Sequence, residues 1–385
     1  MIRTGKGLLI ALLLALLLGL PFAGRTLSAP GALQRDPRIA RFGIGFTQEH
    51  HYEITDYNLR LLLAGSTFPF GWYSNWGTDA HPPQPYNMEY IQLIPVQPSF
   101  GESDLQRLDA VIRHRPSSLW IVGNEPERRL IPGRTDQSNC TPAEYARIYR
   151  DVYAYIKSLD SQARIAIGGV VQPSPLRLRW LEMTLAEYQA LTGQKMPVDV
   201  WTIHVQILRE QAGSWGAEIP QGIDDVTEGL LLETWDNINM EIFQNFIRDF
   251  RRWMKDQGEQ DKKLIISEYG VLMPWQLLGE TEEEGDQALI QFMLGTFDFL
   301  LQARDEETGY PQDDYHLVQR WLWYSLNEQP YNPATGGGFN GALFRYNDPG
   351  QLTVFGKAFR DYARSLYCPE QGCPVCAPLI LKGSR

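Results

Sequence analysis

Residues 119–126 read Leu-Trp-Ile-Val-Gly-Asn-Glu-Pro, and residues 264–270 read Leu-Ile-Ile-Ser-Glu-Tyr-Gly. Each begins as a short apolar run rich in β-branched residues, a pattern typical of a parallel strand that is buried on both faces. Each run ends on a carboxylate, Glu125 in the first and Glu268 in the second. If both strands belong to one barrel, the two carboxylates emerge at the same C-terminal face, where the active sites of barrels are built.

The remaining sequence alternates between strands and helices in the manner of a (β/α)₈ barrel. It predicts six further strands, over residues 41–47, 66–72, 90–97, 163–171, 198–204 and 317–325. Helices are predicted over residues 56–64, 103–113, 141–159, 178–191, 235–257, 282–302 and 356–366, and a hairpin over 341–355 turns at Asp348-Pro349-Gly350. The second helix of the barrel is expected to be missing or reduced. A doubly wound sheet is the alternative, but Gly43-Ile44-Gly45 lacks the third glycine that opens a phosphate-binding helix.

The composition limits the classes of partner. The 385 residues carry a formal net charge of −11, and 12% of them are aromatic. The acidic balance argues against a nucleic-acid partner, because phosphate contacts need a basic face. Abundant aromatic residues are consistent with stacking on sugars and equally with packing in the core.

The N-terminal segment has the features of an export signal. Arg3 and Lys6 precede residues 8–20, which are almost all Leu and Ala, and this run is shorter than the about 20 residues that a membrane span needs. We predict a signal peptide or an uncleaved membrane anchor over residues 1–23 and an extracytoplasmic location, either secreted or tethered to the membrane. A linker over 24–40, one catalytic barrel over 41–366 and a Cys-rich tail over 367–385 complete the predicted organisation.

The four cysteines are Cys140, Cys368, Cys373 and Cys376. In an exported chain an even number of cysteines favours disulfides. The alternative is a metal knuckle in the tail with Cys140 as its fourth ligand. The sequence does not fix a connectivity.

Several motifs resemble those of the clan A retaining glycoside hydrolases. Asn124-Glu125-Pro126 lies at the fourth predicted strand and Ser267-Glu268-Tyr269-Gly270 at the seventh. Trp72-Tyr73-Ser74-Asn75-Trp76 is similar to the Trp-Tyr-Tyr-Asn-Trp signature of the glycosyl hydrolase catalytic cores grouped with the family 128 β-1,3-glucanases. Val200 to His204 resembles the sixth-strand motif that ends in histidine, with Val205-Gln206 where that group has Trp-Tyr.

The resemblance implies a division of roles between the two glutamates. Glu268 would be the nucleophile and Glu125 the acid/base, with the charge of Glu268 raising the pKa of Glu125. Asn124 would bind the sugar 2-OH, and His204 would orient one of the carboxylates. The further residues expected to contact substrate are Trp72, Asn75, Trp76, Tyr269 and Trp323, with Trp323 as the floor of the sugar subsite.

The sequence therefore predicts a hydrolase of β-glycosidic bonds in a polysaccharide or oligosaccharide. We expect a monomer with no cofactor and no metal ion in its site. The alternative is a non-catalytic carbohydrate-binding barrel at the cell surface. Whether the enzyme cleaves within chains or at their ends is left open by the sequence.

Overall fold

A computed structural model of the chain describes residues 38–48, 51–129, 138–335 and 337–367. The predicted signal or anchor segment, residues 24–37 of the linker and the three tail cysteines lie outside the described residues. Cys140 is buried in the core of the barrel domain. Among the described residues, no helix combines the length and the apolar character needed to cross a bilayer.

Nine strands form one parallel sheet that curls into a nearly closed barrel. In chain order they are β1 (Phe42–Gly45), β2 (Trp72–Ser74), β3 (Glu89–Tyr90), β4 (Gln92–Ile94), β5 (Leu119–Asn124), β6 (Arg164–Gly169), β7 (Val200–His204), β8 (Lys263–Tyr269) and β9 (Arg320–Trp323). Their order around the barrel is β3-β2-β1-β9-β8-β7-β6-β5-β4. Because β3 and β4 are separated only by Ile91 and pair with β2 and β5 respectively, they share one strand position. The predicted barrel is confirmed.

The helices lie against the outer face of the barrel. They are α1 (Glu102–Arg107), α2 (Asp109–His114), α3 (Pro142–Leu159), α4 (Pro175–Thr192), α5 (Met240–Asp256), α6 (Glu282–Gln302) and α7 (Val354–Tyr367). The start of α3 is the one predicted, with Thr141 and Glu144 forming a reciprocal capping box. Between β2 and β3, the one helical element is the short 3₁₀ turn Pro85–Asn87, so the second helix is missing as expected.

The strands alternate between the interior of the barrel and the helix layer. The interior is filled by nine buried apolar side chains, which are Trp72, Ile91, Leu93, Leu119, Ile121, Ala166, Val200, Ile265 and Leu322. On β9, Leu322 points inward, so its neighbours Trp321 and Trp323 both point toward the helices. Trp323 packs there against Tyr269 and Phe297, with ring centroids 5.4 and 5.8 Å apart.

The helix predicted over residues 56–64 is wrong. Two short 3₁₀ turns, Ile54–Asp56 and Leu59–Leu62, take its place. The backbone of Tyr57 between them is extended, and the Asn58 amide donates a hydrogen bond to Pro349 O at 2.8 Å. A tertiary hydrogen bond therefore replaces a helical one at this point.

Two strand boundaries also differ from the prediction. The second strand begins at Trp72 rather than at residue 66, and Phe70 before it stacks on Phe359 of α7 with ring centroids 4.7 Å apart. The C-terminal hairpin consists of β10 (Phe344–Arg345) and β11 (Asp348–Leu352). Its turn is thus at residues 346–347, and the predicted turn residues belong to the second strand.

Candidate active site

Glu125 and Glu268 meet at the C-terminal mouth of the barrel. Glu125 directly follows β5, and Glu268 is the penultimate residue of β8. Both line a single cavity of about 1090 Å³. A carboxylate oxygen of each and a ring nitrogen of His204 all lie within 4.8 Å of one another. The two carboxylates can therefore reach the same bond of a ligand.

The chain turns sharply where β5 delivers Glu125. Gly123 has a φ of +94° and Glu125 a φ of +44°, a left-handed conformation that is uncommon for a residue with a side chain. The turn is held because the Glu125 amide donates to Gly169 O on β6 at 3.0 Å. Backbone strain of this kind is concentrated at functional sites, and here it aims a carboxylate into the cavity.

His204 connects the two acids. Its Nδ1 lies 3.1 Å from Glu125 Oε1 and 4.0 Å from Glu268 Oε2, and the side chain is buried. The ring fits because residue 169 is glycine, since a Cβ there would lie 2.7 Å from His204 Cδ2. Burial lowers the pKa of His204, but the two carboxylates outweigh this effect and raise it overall. The imidazole therefore bridges the two carboxylates, whose charges favour its protonated form.

Both oxygens of Glu268 accept hydrogen bonds from neutral donors. Trp76 Nε1 donates to Oε2 at 2.8 Å, and Gln206 Nε2 donates to Oε1 at 3.1 Å. Trp76 follows β2 and has a φ of +59°. The Trp76 ring fits against β1 because residue 45 is glycine, since a Cβ there would lie 2.6 Å from Trp76 Cη2. Glu268 is thus fixed by two side chains from different loops.

The two carboxyl groups have opposite electrostatic environments. Burial raises the pKa of Glu125, but the Arg128 guanidinium, 2.8 Å away at Nη1, and His204 together lower it to about 2. Burial and the charge of Glu125 raise the pKa of Glu268, although His204 and the two neutral donors oppose them. The pKa of Glu125 is therefore lowered, whereas the resemblance implied that it would be raised. The reason is the positive charge of Arg128, a contact that was not predicted from the sequence.

Replacing Trp76 by phenylalanine is expected to slow any reaction at Glu268 by about 10- to 100-fold, because one of the two hydrogen bonds that orient this carboxylate is lost. The Trp76 hydrogen bond lowers the pKa of Glu268. Its removal raises that pKa, so the acidic limb of the pH–rate profile should move to higher pH. The profile of Trp76→Phe measured beside that of Trp235→Phe, an exposed tryptophan outside the cavity, checks this. An unmoved acidic limb would count against the contact.

A fully buried charge cluster supports the loops around the site. Arg177 on α4 donates through Nε to Glu127 Oε1 at 2.8 Å and through Nη1 to Glu210, and all three side chains are completely buried. Glu127 lies two residues after Glu125, and Glu210 lies in the loop after β7. Arg177 Nη2 also donates to Ala217 O at 2.8 Å in the same loop. One guanidinium therefore ties two loops of the cavity to helix α4.

Replacing Arg177 by methionine is expected to lower the free energy of unfolding by about 3–5 kcal/mol, because it leaves two buried carboxylates without their cation. A matched control is Arg179→Met two residues later, where an exposed pair with Asp225 at 2.9 Å is broken. That loss should be much smaller, because both partners of an exposed ion pair stay hydrated when the pair is broken. Urea unfolding of both variants measures the difference, and equal values would contradict the assigned role of the cluster.

Two predicted polar residues occupy different positions. Asn124 lines the cavity beside the paired carboxylates. Asn75 lies outside the lining, where its Oδ1 accepts hydrogen bonds from Tyr90 Oη and from the Gly77 amide. It therefore holds the turn after β2 that presents Trp76, and we no longer assign it a direct contact with substrate.

Three predicted aromatic contacts lie away from the cavity. Trp72 is completely buried inside the barrel and donates through Nε1 to Arg41 O at 3.2 Å. Tyr269 and Trp323 are 0% and 1% exposed in the helix layer, and Trp323 Nε1 donates to Gly341 O. None of the three side chains lines the cavity, which corrects their expected role in substrate contact.

Most residues of the cavity wall were not predicted as site residues, and three of these contact Glu125, Glu268 or Trp76. They are Arg128, Gln206 and Tyr324. Tyr324 follows Trp323 directly, and its ring meets Trp76 edge to face with centroids 5.4 Å apart. Gln206 stands where the family-128 group has tyrosine. This departure from the family pattern was the feature of the sequence that could have identified Gln206 as a site residue.

Glu125, His204 and Glu268 also have a spacing that could hold a metal ion, with ligand atoms all within 4.8 Å of one another. Two carboxylates and an imidazole suit several divalent ions. Arg128 already places a cation against Glu125. The loop acids Asp224 and Asp225, in contrast, each pair with an arginine at the surface.

Several solved structures match most of this chain. A family 39 glycoside hydrolase from the gut symbiont Bacteroides cellulosilyticus WH2 matches over 86% of this chain and 64% of its own, with a TM-score of 0.50 and 14% identity. A family 128 (subgroup VI) exo-β-1,3-glucanase from Aureobasidium namibiae matches over 84% of this chain and 96% of its own, with a TM-score of 0.48 and 11% identity. A family 128 (subgroup VII) oligosaccharide-binding protein from Trichoderma gamsii matches over 86% and 98%, with a TM-score of 0.47 and 12% identity.

At the level of sequence, no curated protein matches the chain. The model of one protein family does match, over residues 52–359, and its description is the glycosyl hydrolase catalytic core. This span includes both glutamates and all of the barrel from β2 to β9. The chain is therefore a glycoside hydrolase that belongs to the glycosyl hydrolase catalytic core family.

Proposed function

We propose that the enzyme cleaves β-glycosidic bonds with retention of configuration, using Glu125 and Glu268 as its two catalytic carboxylates. The main observation that supports this proposal is that oxygens of the two side chains lie within 4.8 Å of each other in one cavity. Retaining glycosidases have carboxyl groups about 5–5.5 Å apart, whereas inverting enzymes need about 6.5–9.5 Å to admit a water molecule. The short separation supports the retaining class.

In the first step, Glu268 attacks the anomeric carbon as the carboxylate, and the bond from that carbon to the leaving oxygen breaks. Glu125 gives its proton to that oxygen, so the leaving group departs as a neutral alcohol. In the second step, Glu125 takes a proton from a water molecule, whose oxygen attacks the same carbon and releases Glu268. The hydrogen bonds from Trp76 and Gln206 keep Glu268 oriented for both steps.

The ion pair with Arg128 must weaken before Glu125 can act as an acid. In the free enzyme, Arg128 and His204 hold Glu125 in its ionised form. Arg128 itself lines the cavity, so a bound leaving group would lie against it. We propose that substrate displaces the guanidinium from Glu125, which raises the pKa of that carboxyl group toward the range of a general acid.

Replacing Arg128 by methionine should move the basic limb of the pH–rate profile to higher pH. The guanidinium lowers the pKa of Glu125. Without it, Glu125 keeps its proton to higher pH, and the basic limb reports the loss of that proton. The matched control is Arg129→Met, which breaks a pair with Asp224 at 2.7 Å outside the cavity. A basic limb that is the same in both variants and the wild type would refute the proposed coupling.

The proposed function is tested with a panel of aryl β-glycosides and β-linked oligosaccharides, followed by proton NMR of the first product. We expect release of at least one sugar, with the β-anomer appearing before mutarotation. An initial α-anomer would show inversion and overturn the retaining mechanism. Product lengths from the oligosaccharides separate cleavage within chains from cleavage at their ends.

We further propose an exported enzyme, released or tethered through residues 1–23, that acts as a monomer on a carbohydrate and not on nucleic acid. The charged and apolar regions of that segment support export, and the formal net charge of −11 opposes binding to a polyanion. Fractionation of cells that express the full chain tests the location. Sedimentation of the purified protein tests the oligomeric state.

A further inference from the structure

The cavity has a wall without hydrogen-bonding side chains. The loop between β8 and α6 contributes four residues to the lining, Leu272, Met273, Pro274 and Leu277, and all four are aliphatic. Leu277 is 44% exposed, and Trp215 in the loop after β7 is 37% exposed on the same cavity. Large apolar groups this exposed to solvent on a cavity surface indicate an apolar ligand.

Most of the backbone groups of this wall also have hydrogen-bond partners in the protein. The amides of Leu272 and Met273 donate to Asn237 Oδ1 at 2.9 and 3.4 Å, and Asn340 Nδ2 donates to Met273 O. The Leu277 amide donates to the carbonyl of Pro274, which itself has no N–H. A sugar carries hydroxyl groups that need partners when buried. This wall therefore suits a group with few hydroxyls better than it suits a sugar.

The aliphatic wall packs against a buried cluster that is connected to Glu125. Leu272 and Met273 pack against a buried cluster that includes Leu208 and Ala217 of the loop after β7. The residue before Ala217, Gly216, accepts a hydrogen bond from Arg128 Nη2 at 3.3 Å. Arg128 in turn contacts Glu125. Contacts through Gly216 and Arg128 therefore connect the apolar wall to Glu125, the carboxylate proposed to protonate the leaving group.

The loops after β1 and β9 provide the contrast. Their contributions to the lining are mainly polar, and include Thr47, Gln48, Glu328, Gln329 and Thr335. A sugar can form hydrogen bonds with these groups. The lining therefore includes polar loops, which can bind the sugar, and one aliphatic wall, which fits an apolar leaving group.

We propose that the leaving group of the natural substrate is apolar, so that the enzyme releases an alkyl, acyl-bearing or other hydroxyl-poor alcohol from a β-glycoside. This inference rests on the proposed function, because it uses Glu125 as the residue that protonates the leaving oxygen. The wall formed by Leu272, Met273, Pro274 and Leu277 would cover the apolar group and exclude water from it.

The test compares n-alkyl β-glycosides of one sugar, namely the sugar cleaved fastest in the aryl glycoside panel. The methyl, butyl and hexyl glycosides are used below their micellar concentrations, beside the disaccharide of the same sugar. We expect kcat/KM to rise about two- to fourfold per added methylene that the wall covers, so that hexyl exceeds methyl by at least about tenfold. Leu277→Asn should bring the hexyl-to-methyl ratio down toward one.

A matched control is Leu191→Asn on α4, which is 48% exposed and outside the cavity, and it should keep the wild-type ratio. A wild-type ratio near one, with the disaccharide as the better substrate, would overturn the apolar leaving group and leave the hydrolase intact. A high ratio that Leu277→Asn does not lower would overturn the wall as its cause. Failure to cleave any aryl, alkyl or oligosaccharide β-glycoside would instead contradict the proposed function.

Discussion

Replacing Glu268 by alanine is expected to reduce kcat by about 10⁴- to 10⁶-fold, the scale on which covalent nucleophiles contribute to catalysis. The reaction stops at its first step, because the attacking oxygen is gone and Glu125 by itself cannot stabilise the developing positive charge at the anomeric carbon. Trp76 and Gln206, which donate to Glu268 in the native site, lose their acceptor. The measurement is single-turnover hydrolysis of a dinitrophenyl β-glycoside.

The alanine variant also opens a space that a small anion can enter. With sodium azide and the same substrate, azide should attack from the face that Glu268 occupied and form the α-glycosyl azide, with the leaving group lost in one displacement. The matched control is Glu280→Ala, an exposed residue before α6, which should keep wild-type rates. Full activity of Glu268→Ala without azide, or formation of a β-glycosyl azide by it, would show that Glu268 is not the nucleophile.

The positions of the two acids could be predicted from the sequence because both depend on the same physical rule. A continuous apolar run reads as a parallel strand buried on both faces, and the polar residue that ends it lies at the rim of the sheet. The runs before Glu125 and Glu268 have this pattern, and β5 and β8 match it. The chain order of the strands then fixes the face at which both acids emerge.

A continuous apolar run does not show which way its aromatic side chains point. In Trp321-Leu322-Trp323 every residue is apolar, so the period of two gives two faces but does not identify the inner one. The structure places Leu322 inside the barrel and both tryptophans in the helix layer. The aromatic residue of this segment that lines the cavity is the next one, Tyr324, which lies beyond the strand.

The electrostatics of the pair could not be predicted from the sequence for a different reason. Arg128 reaches Glu125 across the turn that follows β5, and a turn after a strand has no periodicity that would bring residues three apart together. In a helix, that spacing alone would have suggested the contact. The shift in the pKa of Glu125 is therefore a property of the folded loop.

Replacing Glu125 by alanine is expected to have an effect that depends on the leaving group, which distinguishes an acid/base residue from a structural one. For alkyl glycosides kcat/KM should fall by about 10²- to 10⁴-fold, because an alkoxide cannot leave without a proton. For dinitrophenyl glycosides, whose leaving group needs no proton, bond cleavage should be nearly as fast as in the wild type. Hydrolysis of the glycosyl-enzyme then becomes slow, since no base activates water.

The fast first step and the slow second step of Glu125→Ala give two measurable signatures. A burst of dinitrophenol equal to the enzyme concentration should precede a slow steady state, and azide should accelerate that steady state while forming the β-glycosyl azide. The opposite azide anomers from the two alanine variants would assign a role to each glutamate without reference to any relative. Equal losses on all leaving groups, with no burst, would mean that Glu125 only supports the loop. The reaction would then need another proton donor, and His204, which lies between the two carboxylates, would be the next candidate.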